Sequence, residues 1–249
     1  MKRIVLFCFC LLVAGTARAG EVDVAVAANF AIPFAAIAKS YTRATGNHVV
    51  VSIGSTGKLF AQIENGAPFE LFLAADTRRP NKLVADGLAV AGSARIYAIG
   101  RLALWSPNHD VSHGAKALRM AGIRRIAIAN PKTAPYGAAA MQTLDHLGLT
   151  EAVHPKLVMA ENIAQAYQFV ASGNAGAGFV AASQLKGNKK VPGGFSWLVP
   201  DGMHDPIEQG LCLLKAGAAN PVAKALIHFM ASAQAAKIIS EFGYGVPVR

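Results

Sequence analysis

Cysteine is scarce in this sequence, and this scarcity limits the chemistry open to it. Of three cysteines in 249 residues, Cys8 and Cys10 lie in an apolar N-terminal segment and Cys212 stands alone in the rest of the chain. A chain that keeps a single cysteine can form no internal disulfide. We therefore expect the fold to take its stability from its hydrophobic core.

Charged residues are also few, at 15% of the chain against 53% hydrophobic residues. This balance excludes a disordered chain and a coiled coil. Bases outnumber acids by 24 to 14, but they are scattered and no aromatic residues alternate with them. Nucleic acid is therefore not an expected partner. We expect the positive charge to steer small anions weakly, at an energy that salt would screen.

Long hydrophobic runs are absent beyond the N-terminus. The run at residues 4–14 is too short to span a bilayer as a helix. Two basic residues precede it and Ala17-Arg18-Ala19 follows it, which is the pattern of a secretory signal peptide. We predict a signal peptide at 1–19, cleaved after Ala19, and a periplasmic location, which also suits a chain without disulfides.

Familiar catalytic motifs are missing as well, since the sequence contains neither HExxH nor GxSxG. The segment Gly54-Ser55-Thr56-Gly57-Lys58 suggests a phosphate loop, but Leu59 stands where that motif needs Ser or Thr. We expect no enzyme activity, no cofactor and no protein ligands to a metal. A secreted hydrolase with Ser55 or Thr56 as nucleophile is a weaker alternative, because no spacing suggests the histidine and acid it would need.

The chain alternates strand and helix patterns. Apolar strands are predicted at 22–28, 48–53, 70–75, 126–129, 157–160 and 177–182, and helices follow most of them. Strands of this kind form parallel sheets that are covered on both faces. We read residues 95–105 as a long apolar crossover, 186–194 as a basic surface loop and 221–242 as one long helix.

Two such α/β units in sequence predict two lobes. We expect signal residues 1–19, a discontinuous lobe I at 20–97 and 206–249, and lobe II at 98–205. The fold class is then α/β, with a ligand cleft between the lobes at the carboxyl ends of the strands.

Four strand-to-helix junctions carry groups that could donate hydrogen bonds. Two lie in lobe I, at Asn29 and at Ser55-Thr56, and two in lobe II, at Tyr136 and Ile163. The N-terminus of a helix presents free N–H groups and favours an anion. Each junction alone reads as an ordinary helix start with a capping residue. Together they predict a site for a small dianion made of neutral donors.

The motifs at these junctions are VAVAANF, SIGSTGKLFAQIENGAPFELFLAAD, IANPKTAPYG, AENIAQA and GAGFVAASQL. Over essentially the whole mature chain they resemble the periplasmic molybdate-binding proteins of ABC transporters. The resemblance implies a two-lobed, type II periplasmic-binding fold, molybdate or tungstate as ligand, and delivery to an inner-membrane permease. We expect a monomer. A receptor for sulfate, phosphate or another tetrahedral oxyanion is the main alternative.

The resemblance also implies a set of ligand-binding positions. The stronger candidates are Asn29, Thr56, Tyr136 and Ile163, and the weaker ones are Ala28 and Ser55. Some family members add a tyrosine hydroxyl at a position that matches Ala181 here. The resemblance therefore implies that one donor is missing, and Asn29 or the hydroxyl of Tyr136 could replace it.

Overall fold

The computed structural model describes residues 19–186 and 193–247. Residues 1–18 of the predicted signal peptide and most of the basic loop predicted at 186–194 lie outside these ranges. The described residues form two mixed β-sheets, each covered by helices.

Ten strands lie in the described part of the chain. They are β1 Glu21–Ala27, β2 His48–Gly54, β3 Leu71–Leu73, β4 Arg95–Gly100, β5 Leu102–Ser106, β6 Ile126–Ala129, β7 Leu157–Ala160, β8 Ala177–Ala181, β9 Phe195–Leu198 and β10 Ile207–Leu213. The first sheet has the order β2-β1-β3-β10-β4 and the second the order β7-β6-β8-β5-β9. In the first sheet β2, β1 and β3 pair in parallel, and β10 pairs antiparallel with both β3 and β4. In the second sheet β7, β6 and β8 pair in parallel, and β5 pairs antiparallel with both β8 and β9.

Ten α-helices connect these strands in the same part of the chain. They are α1 Ala31–Thr45, α2 Thr56–Glu64, α3 Arg78–Ala85, α4 Ala115–Leu118, α5 Pro135–His146, α6 Thr150–Val153, α7 Ile163–Ala171, α8 Ala182–Leu185, α9 Pro221–Met230 and α10 Ala233–Glu241. Short 3-10 turns lie at Ala28–Phe30, His154–Lys156 and Lys215–Gly217.

Local sequence signals account for several helix ends. Helix α1 stops at Gly46, whose φ of 75° is the left-handed conformation that glycine adopts without strain. Pro135 opens α5 at the first helical position. Asn162 caps α7, because its side-chain oxygen accepts from the N–H groups of Ala164 and Gln165.

Two predicted segments differ from the structure. The crossover predicted at 95–105 consists of two strands, β4 in the first sheet and β5 in the second. The chain passes from one sheet to the other at Arg101. The helix predicted at 221–242 is broken into α9 and α10, with a bend of 61° between them. The break has a physical cause, since the Ser232 hydroxyl accepts from the N–H of Ala235 and starts a second helix.

The two sheets define two lobes with separate cores. Lobe I, built on the first sheet, has one core under α1, α9 and α10 and another under α2 and α3. Lobe II, built on the second sheet, has a single core into which Ala27, Ala28 and Ala75 of lobe I also pack. The lobes therefore touch at the carboxyl ends of their parallel strands, which is a closed arrangement.

The strands also suggest where the lobes divide. Because β4 belongs wholly to the first sheet, we propose a first boundary at Arg101, slightly beyond the 97/98 position expected from sequence. The second boundary, proposed at 205/206, lies just before β10. Within the described residues no single helix is long and apolar enough to cross a membrane, and α9 with α10 meet that test only as a bent pair.

Candidate functional site

The four predicted junctions meet at one cavity between the lobes. It is small, with a volume of about 10 Å³. Its lining consists only of uncharged residues: Ala27, Ala28, Asn29, Ser55, Thr56, Ala75, Ala134, Pro135, Tyr136, Asn162 and Ile163. All six candidate residues named from the sequence thus line the same space, although they lie up to 135 positions apart in the chain (163 − 28).

Ser55 supplies the most conspicuous polar group of the cavity. It occupies the N-cap position of α2, but its hydroxyl makes no capping hydrogen bond. Its Oγ atom is buried and has no protein partner. A buried hydroxyl without a partner is rare and unfavourable unless a ligand satisfies it. Ser55, the weaker of the two candidates on α2 by sequence, is therefore the hydroxyl that is free to bind a ligand.

The side chain of Thr56 is already engaged. The N–H of Ala75, at the end of β3, donates to Thr56 Oγ1 at 3.0 Å. This bond ties the start of α2 to the neighbouring strand inside lobe I. Thr56 contributes to the cavity through its place in the first turn of α2, where N–H groups have no acceptor within the helix.

Asn29 lies in the 3-10 turn that follows β1, with Ala28 before it. The side-chain amide was expected to donate to the ligand. In the structure Asn29 Nδ2 donates instead to Gln209 Oε1 at 2.7 Å and to Tyr244 Oη at 2.9 Å. Both amide hydrogens are thus used inside the protein. What Ala28 and Asn29 present to the cavity is the N-terminal end of their turn.

Lobe II offers two helix starts. Tyr136 is the second residue of α5 and Ile163 the first residue of α7, so the N–H of each lacks an acceptor within its helix. Because Asn162 takes the next two N–H groups of α7, the amide of Ile163 is the one left at that end. These backbone donors agree with the roles that the resemblance implied.

The hydroxyl of Tyr136 lies against β4. A methyl group at Gly100 would lie only 2.2 Å from Tyr136 Oη, so the hydroxyl packs against the backbone of β4. Burial, and then the neighbouring Tyr244, raises the pKa of Tyr136 well above its ordinary value. The Tyr136 hydroxyl stays neutral and, like that of Ser55, is buried without a hydrogen-bond partner. Because Gly100 does not line the cavity, the place of this hydroxyl favours packing against β4 over contact with a ligand.

Ala181 ends β8 and does not line the cavity either. Its N–H donates to Gln184 Oε1 at 2.9 Å, and Gln184 Nε2 donates to the carbonyl of Ile163 at 3.2 Å. Gln184 thus links the end of β8 to the start of α7. Sequence reasoning did not single out this residue, and its place just after a strand of the sheet was the signal available.

Two contacts between the lobes lie beside the cavity, next in sequence to residues that line it. The N–H of Gly57 donates to the carbonyl of Thr133 at 2.8 Å. The ammonium of Lys58 lies 2.8 Å from the carboxylate of Glu161, and both side chains are about half exposed. Exposed ion pairs contribute little, so this pair marks the closed arrangement without fixing it.

The chemistry of the cavity is that of a donor-only anion site. It combines the unpartnered hydroxyl of Ser55, several first-turn N–H groups and the positive ends of four helical elements, with no charged side chain on its wall. Among the described residues no group of three or more His, Cys, Asp or Glu side chains could hold a metal ion. The fold and the site together define a two-lobed binding protein for a small anion.

Comparisons with known proteins give the family. Residues 22–245 match the model of the bacterial extracellular solute-binding proteins. The chain is 49% identical over 237 residues to the molybdate-binding protein ModA of Azotobacter vinelandii, covering 94% of each chain. It is 46% identical over 228 residues to ModA of Rhodobacter capsulatus, covering 92% of this chain and 89% of that one. The solved periplasmic molybdate-binding protein of Azotobacter vinelandii superposes with a TM-score of 0.87 at 39% identity, covering 92% of this chain and all of that one.

The chain therefore belongs to the bacterial extracellular solute-binding proteins and, among them, to the family of the molybdate-binding proteins. Membership of this family makes it a binding component of transport rather than an enzyme.

Proposed function

We propose that this protein binds molybdate and tungstate in the cavity between its lobes and delivers them to an ABC permease. The observation that carries the proposal is the meeting of four helix starts around the unpartnered hydroxyl of Ser55, on a wall with no charged side chain. The names of the relatives supply the identity of the anion.

A tetrahedral oxyanion suits this site because it presents only hydrogen-bond acceptors. Each hydrogen bond to a charged group contributes roughly 1.5–3 kcal/mol. Neutral donors provide this energy without burying a lysine or arginine, which would have to lose its own hydration. The positive ends of the helices add a favourable field.

The proposed ligand set follows the free groups in the structure. The Ser55 hydroxyl donates from its side chain, and Tyr136 and Ile163 donate through their backbone N–H groups. Ala28, Asn29 and Thr56 contribute backbone N–H groups at the starts of their helices. The side-chain hydrogen bonds of Asn29 and Thr56 hold these backbone segments in place.

Binding across the two lobes implies closure around the ligand. Two donor junctions belong to lobe I and two to lobe II, so an anion that contacts both favours the closed arrangement by its differential affinity. The Gly57–Thr133 hydrogen bond then forms beside the ligand. We expect small-angle scattering to show compaction when saturating molybdate is added.

The cellular setting follows from the N-terminal pattern and the family. We propose export through the signal peptide at 1–19, cleavage after Ala19 and a monomeric receptor in the periplasm. Mass spectrometry of protein purified from the periplasm tests the cleavage site, and copurification with the cognate permease tests delivery.

Titration calorimetry of the mature chain with molybdate, tungstate, sulfate and phosphate tests the ligand. We expect molybdate and tungstate to bind with similar affinity, because they are nearly the same size, and sulfate to bind far more weakly, because its shorter bonds leave donors out of reach. Preferential binding of sulfate or phosphate would establish the alternative oxyanion receptor and refute the proposed ligand.

Ser55→Ala tests the site, with Ser106→Ala as a matched buried-serine control. Ser106 Oγ donates to the carbonyl of Gly176 within lobe II, so its loss should lower stability and leave affinity alone. Ser55 Oγ has no protein partner, so its loss should lower molybdate affinity about ten- to a hundredfold with little loss of stability. The reverse pattern would remove Ser55 from the ligand set.

A further inference from the structure

A buried polar cluster joins the lobes next to the cavity. It consists of Asn29, Ser183, Gln209 and Tyr244, all of which are at least 95% buried. Asn29 belongs to the cavity wall, whereas the other three do not. The cluster is therefore a neighbour of the anion site that shares one residue with it.

Tyr244 is the centre of this cluster. Its hydroxyl donates to the carbonyl oxygen of Asn29 at 2.9 Å and accepts from Asn29 Nδ2 at 2.9 Å. The surrounding chain holds the ring in place, because Gly245 pairs with Ile99 of β4 through two backbone hydrogen bonds. The C-terminal segment is thus hydrogen-bonded to lobe I, and Tyr244 contacts both the backbone carbonyl and the side-chain amide of Asn29.

Tyr136 of lobe II places its buried hydroxyl beside Tyr244 and Asn29 without a hydrogen bond of its own. Ser183 is the residue of lobe II whose hydroxyl bonds across to this cluster. Its Oγ atom lies 3.1 Å from Tyr244 Oη and 3.3 Å from the carbonyl oxygen of Asn29. Both oxygens belong to lobe I, and the single hydroxyl hydrogen of Ser183 is donated to one of them or shared between them. These contacts therefore join the two lobes in the closed arrangement.

Gln184, the residue after Ser183, contacts the part of the site that belongs to lobe II. Gln184 bonds to the carbonyl of Ile163, whose N–H faces the cavity. Both residues lie on the single turn of α8. This turn therefore connects a donor junction of lobe I, at Asn29, with a donor junction of lobe II, at Ile163.

We propose that Ser183 is a positioning residue for anion binding: its bonds to Tyr244 and Asn29 lock the closed lobes and set the spacing between the donors of lobe I and lobe II. This inference rests on the proposed function, because it assumes that the anion is bound by both lobes. The lock acts on the ligand through Asn29 and Ile163 and does not touch it. Its loss should therefore speed release of the anion more than it slows capture.

A double-mutant cycle on Ser183→Ala and Tyr244→Phe tests the proposal. Tyr244→Phe keeps the ring that packs edge-on against Phe30, with ring centroids 5.3 Å apart, and removes only the hydroxyl. The measurements are the dissociation rate of sodium molybdate by stopped flow and the denaturant unfolding of the ligand-free protein. We expect Ser183→Ala to raise the dissociation rate about two- to tenfold, the range of one neutral hydrogen bond, and Tyr244→Phe to raise it at least as much, because it also removes two bonds to Asn29.

The coupling between the two substitutions separates positioning from plain packing. In dissociation, the double variant should release molybdate more slowly than the product of the two single effects predicts, because the Ser183–Tyr244 bond is lost in both single variants. In ligand-free unfolding the two effects should add, because the open lobes hold the hydroxyls apart. Ser183→Thr, which keeps the hydroxyl, should restore slow release, and Ser106→Ala serves as the unlinked control.

The possible results are distinct. Wild-type release rates in both single variants, additive effects on release, or equal coupling with and without molybdate would overturn the positioning role while leaving the proposed function intact. A wild-type protein that binds no molybdate would overturn the proposed function and this inference with it.

Discussion

Gly57→Ala offers a sharp test of closure, because the new methyl group would stand between the lobes. In the structure that methyl would lie 3.0 Å from the Cα of Thr133, 3.1 Å from its carbonyl oxygen and 3.0 Å from Arg79 Nη2. The arginine end can move aside. The two Thr133 atoms are backbone of the opposite lobe and can yield only if the lobes separate by a few tenths of an ångström.

The size of the effect follows from overpacking. Forcing one extra methyl group into a close contact costs about 1–3 kcal/mol. Because the crowded atoms belong to different lobes, this penalty falls on the closed state alone. We expect molybdate affinity to fall about 5- to 150-fold, since each 1.4 kcal/mol corresponds to about tenfold.

Stability should change in the opposite direction. Gly57 is the second residue of α2, and alanine is favoured over glycine by about 0.5–1 kcal/mol in helix interiors and by less than that in the first turn. The ligand-free protein, with its lobes apart, should therefore be as stable as the wild type or slightly more so. Few other substitutions are expected to weaken binding while stabilising the unliganded chain.

Titration calorimetry and thermal unfolding without ligand are the two assays, and Gly122→Ala is the control. A methyl group at Gly122 would come no closer than 3.5 Å to any atom outside its neighbours, and that atom belongs to His109 within lobe II. Unchanged affinity in Gly57→Ala would show that the Gly57–Thr133 contact does not form around the ligand. A parallel loss of affinity and of ligand-free stability would show that the methyl group disturbs lobe I itself.

Three further predictions concern the Lys58–Glu161 ion pair, Gly100 and Cys212. Lys58→Ala and Glu161→Ala should each change molybdate affinity less than about fivefold in calorimetry, because a half-exposed ion pair contributes about 0–1 kcal/mol; a hundredfold loss with Lys58→Ala alone would place a cation on the anion. Gly100→Ala should lower the melting temperature, because its methyl group collides with the Tyr136 hydroxyl, and adding Tyr136→Phe should recover part of the loss; a double variant that melts no higher than Gly100→Ala would contradict this contact. Cys212 should resist Ellman's reagent at pH 8 until the protein is denatured, because burial raises the pKa of its thiol to about 12, and rapid reaction in the native protein would be the contrary result.

The parts of the site that sequence could predict are those with local causes. Pro135 at a first helical position and Asn162 as a cap mark helix starts on their own, and Gly46 marks a helix end. Ser232 carried the same kind of signal before α10, and its capping role predicts the break that a single helix at 221–242 overlooked. Signals of this sort depend on a few neighbouring residues and need no knowledge of the fold.

The orientation of side chains at these helix starts has distant causes. Ser55 and Thr56 are adjacent hydroxyl residues, and which of them faces the cavity depends on the N–H of Ala75, which belongs to another strand. Asn29 looks like a free donor until Tyr244, 215 positions later, is placed beside it. No pattern near these residues indicates such partners, so the sequence could predict that the four junctions lie together but not which of their side chains the protein itself engages.

The alanines on the cavity wall have a consequence for how the protein distinguishes one anion from another. Ala27, Ala28, Ala75 and Ala134 line the cavity between the donor groups. Alanine has no side-chain rotamers, so a wall of alanines cannot rearrange to fit a smaller guest. This part of the wall can therefore change its fit only through a change in the distance between the lobes. If the protein binds an oxyanion as we propose, the movement of the lobes, rather than any alanine side chain, adapts the cavity to the size of the anion.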